Sequence, residues 1–286
     1  MRVNPHQFKA FAHVVREGSI SSAARKLGVS QSAVTQHVSK LESAVGARLF
    51  VRGRDGIVLT RAGQEFFELA DRYVTLEKMI DERLQGYADL SHGQLKIIAN
   101  APQPALRLIA RYSARFPEVE VDLTLFDWTT AMNLLQTRQV DIAIVTDPTR
   151  KEDWYRRKIT DARYVLYARS DHPLARRQAV CLAEVAREVV LLPEQGSLTH
   201  RIVSKALKQR GLSLRRLVRT TSFPVMKEAI LQGVGIGVFL ENSAVEEDRL
   251  VELPIVELPE SYETCLVVPK YKLDLRLIQS FVAQTD

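Results

Sequence analysis

Two cysteines in 286 residues are too few to build a disulfide framework. Cys181 and Cys265 lie far apart and match no metal or redox spacing, which points to reduced thiols in a reducing cytosol. No apolar run approaches the roughly 20 residues that span a bilayer. The N-terminal stretch MRVNPHQFKAFAHVV lacks the sustained apolar core and small-residue cleavage site of a secretory signal. Catalytic signatures are missing too: there is no G-x-S-x-G elbow, P-loop, H-E-x-x-H or paired-cysteine site. Gly233, Gly235 and Gly237 mimic a dinucleotide loop, but their spacing is G-x-G-x-G and they follow a helical stretch instead of opening one. Close packing of backbone between a helix and a strand explains them better. His6 and His13 fall two helical turns apart, with no cysteine or carboxylate pair beside them to complete a metal site. These absences leave a cytoplasmic globular chain that is not an enzyme and needs no resident cofactor or metal.

Positive charge is present, and it is concentrated. The chain carries a net +6, yet residues 1–61 alone hold ten Lys/Arg against three acids, so the remainder is close to neutral. Such a basic block suits phosphate neutralisation. Inside it, residues 18–46 read as two short helices joined by a tight turn. Ser21 or Ser22 is placed to cap the first, Ala23, Ala24 and Leu27 give it an apolar face, and Gly28 ends it. Ser30 caps the second, in which Ala33, Val34, Val38, Leu41 and Val45 recur at helical spacing. Its opposite face offers Gln31, Ser32, Thr35, Gln36, Ser39 and Lys40, mostly short neutral groups that match base-pair edges better than the Glu and Lys of a merely solvated face. This is the pattern of a helix-turn-helix whose second helix reads DNA. A simple wet αα-hairpin is the alternative.

The neighbouring stretches fit the same picture. Pro5–Glu17 forms an opening helix whose Phe8, Phe11, Ala12 and Val15 close a three-helix core. Short β-like runs at Leu49–Gly53 and Ile57–Thr60 meet around Asp55-Gly56, a hairpin signal. This wing carries Arg52 and Arg54 at its tip, suited to phosphate or minor-groove contact. From Thr60 or Arg61 a helix without proline runs to about Leu90, with Phe66, Leu69, Tyr73, Leu76, Ile80, Leu84 and Tyr87 forming a seam. Pairing with the same helix of a second subunit would cover that seam; packing on the chain's own C-terminal part is the competing reading.

Beyond Gly93 strand and helix patterns alternate, which signals parallel βαβ units. LKIIAN (95–100), VEVDLTLFD (119–127) and VDIAIVTD (140–147) belong to one series, with helices at 104–116 and 130–138. A second series runs through RYVLYARSDHPLA (163–175), EVVLLPEQGS (188–197), RRLVRTTS (215–222) and GIGVFL (235–240), with helices at 199–209 and 224–232. ETCLVVPK (263–270) and a helix at 274–283 return the chain to the first lobe. The expected organisation is a reading head at 1–61, a linker helix at 62–90 and an effector domain at 91–286. Subdomain I of that domain covers about 91–161 and 267–286, and subdomain II about 162–266. Ligands of such sheets bind at strand C-terminal ends, against helix N-termini.

The N-terminal block resembles the winged helix-turn-helix of LysR-type transcriptional regulators, with AARKLGVSQSAVT, LE…GARLF and LTRAG in the family's order and spacing. GQLKI (93–97), RFPEVEVDL (115–123), VDIAI (140–144), SDHPLA (170–175) and LQGVGIGV (231–238) resemble the family's effector domain, so the likeness spans nearly the whole chain. It implies an α/β fold with an N-terminal all-α winged helix-turn-helix, a long linker helix, and a two-lobed, periplasmic-binding-protein-like effector domain. It also implies a homodimer or homotetramer that bends promoter DNA, controls access of RNA polymerase and takes a small, anionic co-inducer between its lobes.

Carried over residue by residue, Gln31, Ser32, Thr35, Gln36, His37 and Lys40 lie along the DNA. Many members have Ser at the place of Thr35 and Arg at the place of His37. The effector set comprises Asn100, Ala101, Gln103, Trp128, Thr129 and Thr146 from one lobe, and Ser197, Thr199, His200, Ser222 and Phe223 from the other. Ser197, Thr199 and Thr129 sit at expected helix starts, a chemistry that favours an anion, although capping alone accounts for any single one. Family members often close the GVGIG segment with proline, whereas this chain continues as GVGIGVFLEN. An architectural DNA-binding protein without ligand control is the alternative function, with an enzyme less favoured.

Overall fold

The computed structural model describes residues 4–53, 56–84, 93–244 and 248–285. Helix α1 (Pro5–Glu17) opens with Asn4, whose side chain accepts the His6 N–H while its own N–H donates to Gln7. Helix α2 (Ile20–Leu27) is capped by Ser19, which accepts the Ser22 N–H at 3.1 Å. The helix thus starts earlier than a cap at Ser21 or Ser22 requires, which draws Ile20 against the core. Helix α3 (Gln31–Val45) is capped by Ser30 through the Ala33 N–H and ends at the left-handed Gly46. Phe11, Ala23, Val34, Val38, Leu41 and Leu49 are buried together between the three helices. Strands β1 (Phe50–Gly53) and β2 (Gly56–Leu59) form an antiparallel hairpin with Arg52 opposite Ile57. Arg54 lies outside the described residues.

Helix α4 (Arg61–Leu84) presents three faces. Phe67, Ala70 and Val74 are buried in the core of the reading head, and Asp71 and Thr75 are buried beside them. Met79 packs on the effector domain. Leu69, Leu76, Ile80 and Leu84 are half or more exposed. The apolar seam expected from the sequence is therefore divided. Phe66 and Tyr73 turn to the chain's own core, while the leucine stripe stays uncovered. The expected last turns and Tyr87 fall outside the described residues.

The effector domain follows as β3 (Gly93–Ala99), α5 (Pro102–Arg115), β4 (Val119–Leu125), α6 (Trp128–Gln136), β5 (Ile142–Thr146) and β6 (Trp154–Arg169). Then come α7 (Leu182–Val185), β7 (Val189–Pro193), α8 (Leu198–Gln209), β8 (Arg216–Thr220), α9 (Phe223–Leu231) and β9 (Ile236–Leu240). The chain closes with β10 (Leu250–Pro254), β11 (Ser261–Pro269) and α10 (Arg276–Val282). The strand order is β4-β3-β5-β11-β6-β9-β7-β8, with β10 on β6.

Pairing is parallel within each lobe, β3 with β4 and β5, and β7 with β8 and β9. β6 and β11 run antiparallel to one another and to their neighbours, so the sheet is mixed where the two lobes join. The first half of β6 had no sequence signal, because Arg156, Arg157 and Lys158 hide its alternation. There it pairs with β11, and Arg156 meets Glu263 at 3.0 Å. One lobe packs Leu95, Ile97, Tyr112 and Phe281 around β3 and α10; the other packs Tyr167, Leu191, Met226 and Phe239 around β7 and β9.

Candidate nucleic-acid interface and effector cleft

The α1 and α2 packing fixes α3 through its buried Val34, Val38 and Leu41, and so turns the other face outward. Gln31, Ser32, Thr35, Gln36, Ser39 and Lys40 are all exposed on it. Two of these hydroxyls are engaged locally: Ser32 bonds Ser30 at 2.8 Å, and Thr35 donates to the Gln31 carbonyl at 2.8 Å. Gln31, Gln36 and Lys40 have no side-chain partner among the described residues. His37 is half-buried, its ring 6.0 Å from that of His6. His13 is turned inward, and burial lowers its pKa to about 4, Arg16 adding to the shift. The described residues contain no group of three or more His, Cys, Asp or Glu able to hold a metal ion.

Between the lobes lies a second candidate site. Asn100, Phe126, Trp128, Ser197, Thr199 and Phe223 line it, at the C-terminal ends of β3, β4, β7 and β8. Ser197 caps α8 by accepting the His200 N–H at 3.1 Å, and the N-terminus of α8 lies at the cleft, a helix end that favours an anion. Thr199 is buried in the lining. Asp127 caps α6 through the Thr130 N–H at 2.8 Å. Trp128 donates its Nε1–H to the Thr146 carbonyl at 2.9 Å, and the Arg201 guanidinium of the other lobe lies 4.5 Å over its ring. The space enclosed is about 30 Å³, room for a water or two.

Comparison with known proteins places this geometry in a family. Residues 5–64 match the model of the bacterial regulatory helix-turn-helix protein, lysR family, and residues 88–285 match that of the LysR substrate binding domain. The chain belongs to the LysR family of transcriptional regulators. Among its relatives is the RuBisCO operon transcriptional regulator of Allochromatium vinosum, 29% identical over 277 residues that make up 95% of this chain and 92% of that protein. A full-length OxyR variant from Pseudomonas aeruginosa has the same fold, with a TM-score of 0.79 at 18% identity over 100% of this chain and 95% of that one. CbnR in complex with its target DNA gives 0.58 at 20% identity, covering 99% and 98%. The regulatory domain of CcmR from Synechocystis PCC6803, in complex with 2-PG, gives 0.59 at 24% identity, covering 68% of this chain and 96% of that one. The relatives carry regulator names, in line with the expectation that this chain is no enzyme.

Within this LysR regulator the sequence-derived effector residues separate into groups. Asn100, Trp128, Ser197, Thr199, Ser222 and Phe223 line the interlobe cleft. Ala101 and Gln103 line a different cavity, of about 430 Å³, on the side of α5 where Arg107 and Arg111 project. Thr146 is fully buried: its hydroxyl bonds Thr264 at 2.8 Å and its N–H donates to Asn100, so it braces the cleft floor. Thr129 crosses to the other lobe, donating to the Gly196 carbonyl at 3.3 Å. His200 stands beside Ser204 at 3.4 Å, with burial lowering its pKa and Arg219 adding to the shift.

Glu194 is a charged lining residue that sequence reasoning missed. Its Oε1 is buried with no partner among the described residues, and burial pushes its pKa up, with Asp127 adding to the effect. Its only sequence signal is its place directly after a buried strand. The G-x-G-x-G run is resolved as packing. A Cβ on Gly235 would collide with the Val189 carbonyl, and one on Gly237 would come within 2.7 Å of the Met226 sulfur.

Proposed function

We propose that the chain is an effector-controlled, sequence-specific regulator whose α3 enters the major groove. Gln31, Ser32, Thr35 and Gln36 meet base edges, and His37, Lys40 and the wing arginines Arg52 and Arg54 meet phosphates. The observation that carries this reading is the unbroken exposed polar face of α3, rich in amide and hydroxyl groups and set in the basic block of the chain. The uncovered stripe of Leu69, Leu76, Ile80 and Leu84 supports a dimer built on α4, and a pair of such dimers would form a tetramer. The proposed organisation is a reading head at 1–61, a linker helix at 62–90 and an effector domain at 91–286. No described helix is long and apolar enough to cross a membrane, and we place the regulator in the cytoplasm, where it governs RNA polymerase at its promoter.

The effector fits the interlobe cleft as a small anion against the first turn of α8. The 2-PG complex of the related CcmR fold supports an anionic ligand. Glu194, with an unpartnered carboxyl oxygen, calls for a donor on the same molecule, so an acid that also carries a hydroxyl fits best. Footprinting the full chain over its own upstream DNA, with and without hydroxylated organic acids and phosphate esters, tests this reading. The expected result is a protected patch whose extent changes with one of the acids; a patch that responds to none of them would favour the architectural alternative.

A further inference from the structure

Helix α6 touches the cleft at one end and the linker helix at the other. Nine residues at 1.5 Å each make it a rod of about 14 Å, held on β5 by buried Ala131, Met132 and Leu135. At its N-terminal end Trp128 lies under Arg201 and Thr129 donates to Gly196, both groups belonging to the opposite lobe. At its C-terminal end Arg138 adopts a left-handed conformation, φ 58°. The Arg138 N–H bonds the Leu135 carbonyl and the Gln139 N–H bonds the Leu134 carbonyl, a helix ending that ordinarily employs glycine at the position of Arg138. Arginine here accepts backbone strain, and its guanidinium reaches Glu68 of α4 and lies 4.9 Å over the Tyr271 ring. The Tyr271 hydroxyl in turn donates to Asp71, which is fully buried on α4 and accepts Arg16 Nε of α1 at 2.7 Å.

We propose that α6 is the coupling rod of this regulator. Closure of the second lobe on Thr129 and Trp128 shifts α6 along β5, and Arg138 passes that shift to Glu68 and, through Tyr271, to Asp71 and Arg16 of the reading head. This rests on the regulator reading above and adds its route of control. The links are a hydrogen bond at Thr129, packing of α6 on β5 and charge-assisted contacts at Arg138 and Asp71, and a narrow cleft such as this one has to part to admit a ligand larger than water.

The test needs no knowledge of the effector. A Cβ at Gly196 would lie 3.6 Å from Thr129 Oγ1, on a backbone at φ 102° where a side chain carries strain, so the reduced Thr129→Cys, Gly196→Cys protein is the reference state and its oxidation to the disulfide locks the lobes shut. Peptide mapping of the full chain confirms the cross-link. Hydrogen exchange of α4 amides between residues 66 and 74 then reads transmission without DNA, and affinity for a duplex of the chain's own upstream region reads it with DNA. Oxidation is expected to change both by about fivefold or more, the usual scale of allosteric coupling. Adding Arg138→Gly, which relieves the strain and removes the guanidinium, should cut both changes below about twofold while the cross-link still forms. Glu68→Gln should act in the same direction, and Thr129→Val alone should move α4 exchange opposite to the lock. An undiminished response in the locked Arg138→Gly protein overturns the proposal. So does a lock without effect on α4 exchange. Absence of DNA binding alongside a normal exchange response would count against the regulator reading and leave the rod standing.

Discussion

Lys272 is nearly fully buried, with 1% of its side chain exposed, and its ammonium donates to Asp141 at 3.0 Å and to the Val140 carbonyl at 3.2 Å, with Asp71 at 3.9 Å. Lys272→Met keeps the length of the side chain and removes the charge. Asp71 keeps Arg16 and Tyr271, whereas Asp141 keeps the Lys96 N–H and the more distant attractions of Arg16 and Lys78, with no ammonium in contact among the described residues. Removing one partner of such a buried pair costs about 3–5 kcal/mol, a large share of the roughly 5–15 kcal/mol that holds a domain together. For a unit of this size the melting temperature should fall by about 6–20 °C at pH 7.

The pH dependence has a definite sign. Burial alone would raise the Asp141 pKa, but Lys272 and then Arg16 outweigh it and hold it at about 2, below the ordinary 3.8. The ionised pair therefore stabilises the fold above pH 3.8, and the contribution is lost as pH falls through about 2. Lys272→Met should move acid unfolding to higher pH, and its deficit should narrow between pH 4 and pH 2. Adding Asp141→Asn, whose amide oxygen still accepts the Lys96 N–H, should recover part of the loss. The assay is thermal unfolding followed by circular dichroism across that pH range. A single variant melting within about 2 °C of the parent at pH 7 would refute the reasoning.

Three further outcomes are expected. Arg52→Ala should weaken specific and random duplexes alike and lower the slope of affinity against salt by about one; an unchanged slope in a salt titration removes Arg52 from the phosphate set. Leu76→Glu places a charge in the uncovered stripe of α4 and should shift sedimentation toward monomer, and an unaltered oligomer would show that this stripe is not the interface. Ser197→Ala should cost about 1 kcal/mol of stability through the lost α8 cap. It should also weaken any acid that raises the melting temperature of the full chain, and a ligand shift equal to the parent's would move the anion away from α8.

The reading head was legible because its signals are local. Ser30, Gly28 and Gly46 mark helix ends by chemistry that acts within a few residues, and the apolar spacing of α3 leaves one face for everything polar. Buried strands such as β5 and β9 announced themselves in the same way, as short apolar runs. What escaped depends on partners distant in the chain. The Arg16–Asp71–Lys272–Asp141 chain joins residues up to 256 positions apart, and in sequence each member looks like an ordinary surface charge. The N-terminal half of β6 carries Arg156, Arg157 and Lys158 although it pairs with the apolar 265–269 segment of β11, and Arg156 and Lys158 find their counter-charge farther along that strand, at Glu263. In the cleft, Asn100 and Gln103 belong to one stretch of chain, yet the start of α5 sends them to different cavities. The sequence shows that loop but not which way it turns.

Base reading by α3 underlies every regulatory step proposed for this chain, and Gln36→Ala puts it to the test. Affinity for the protected upstream duplex should drop by about 1–3 kcal/mol, roughly fivefold to 150-fold, while affinity for a random duplex of equal length stays within about twofold of the parent. Equal losses on both duplexes, or no loss on either, would contradict it.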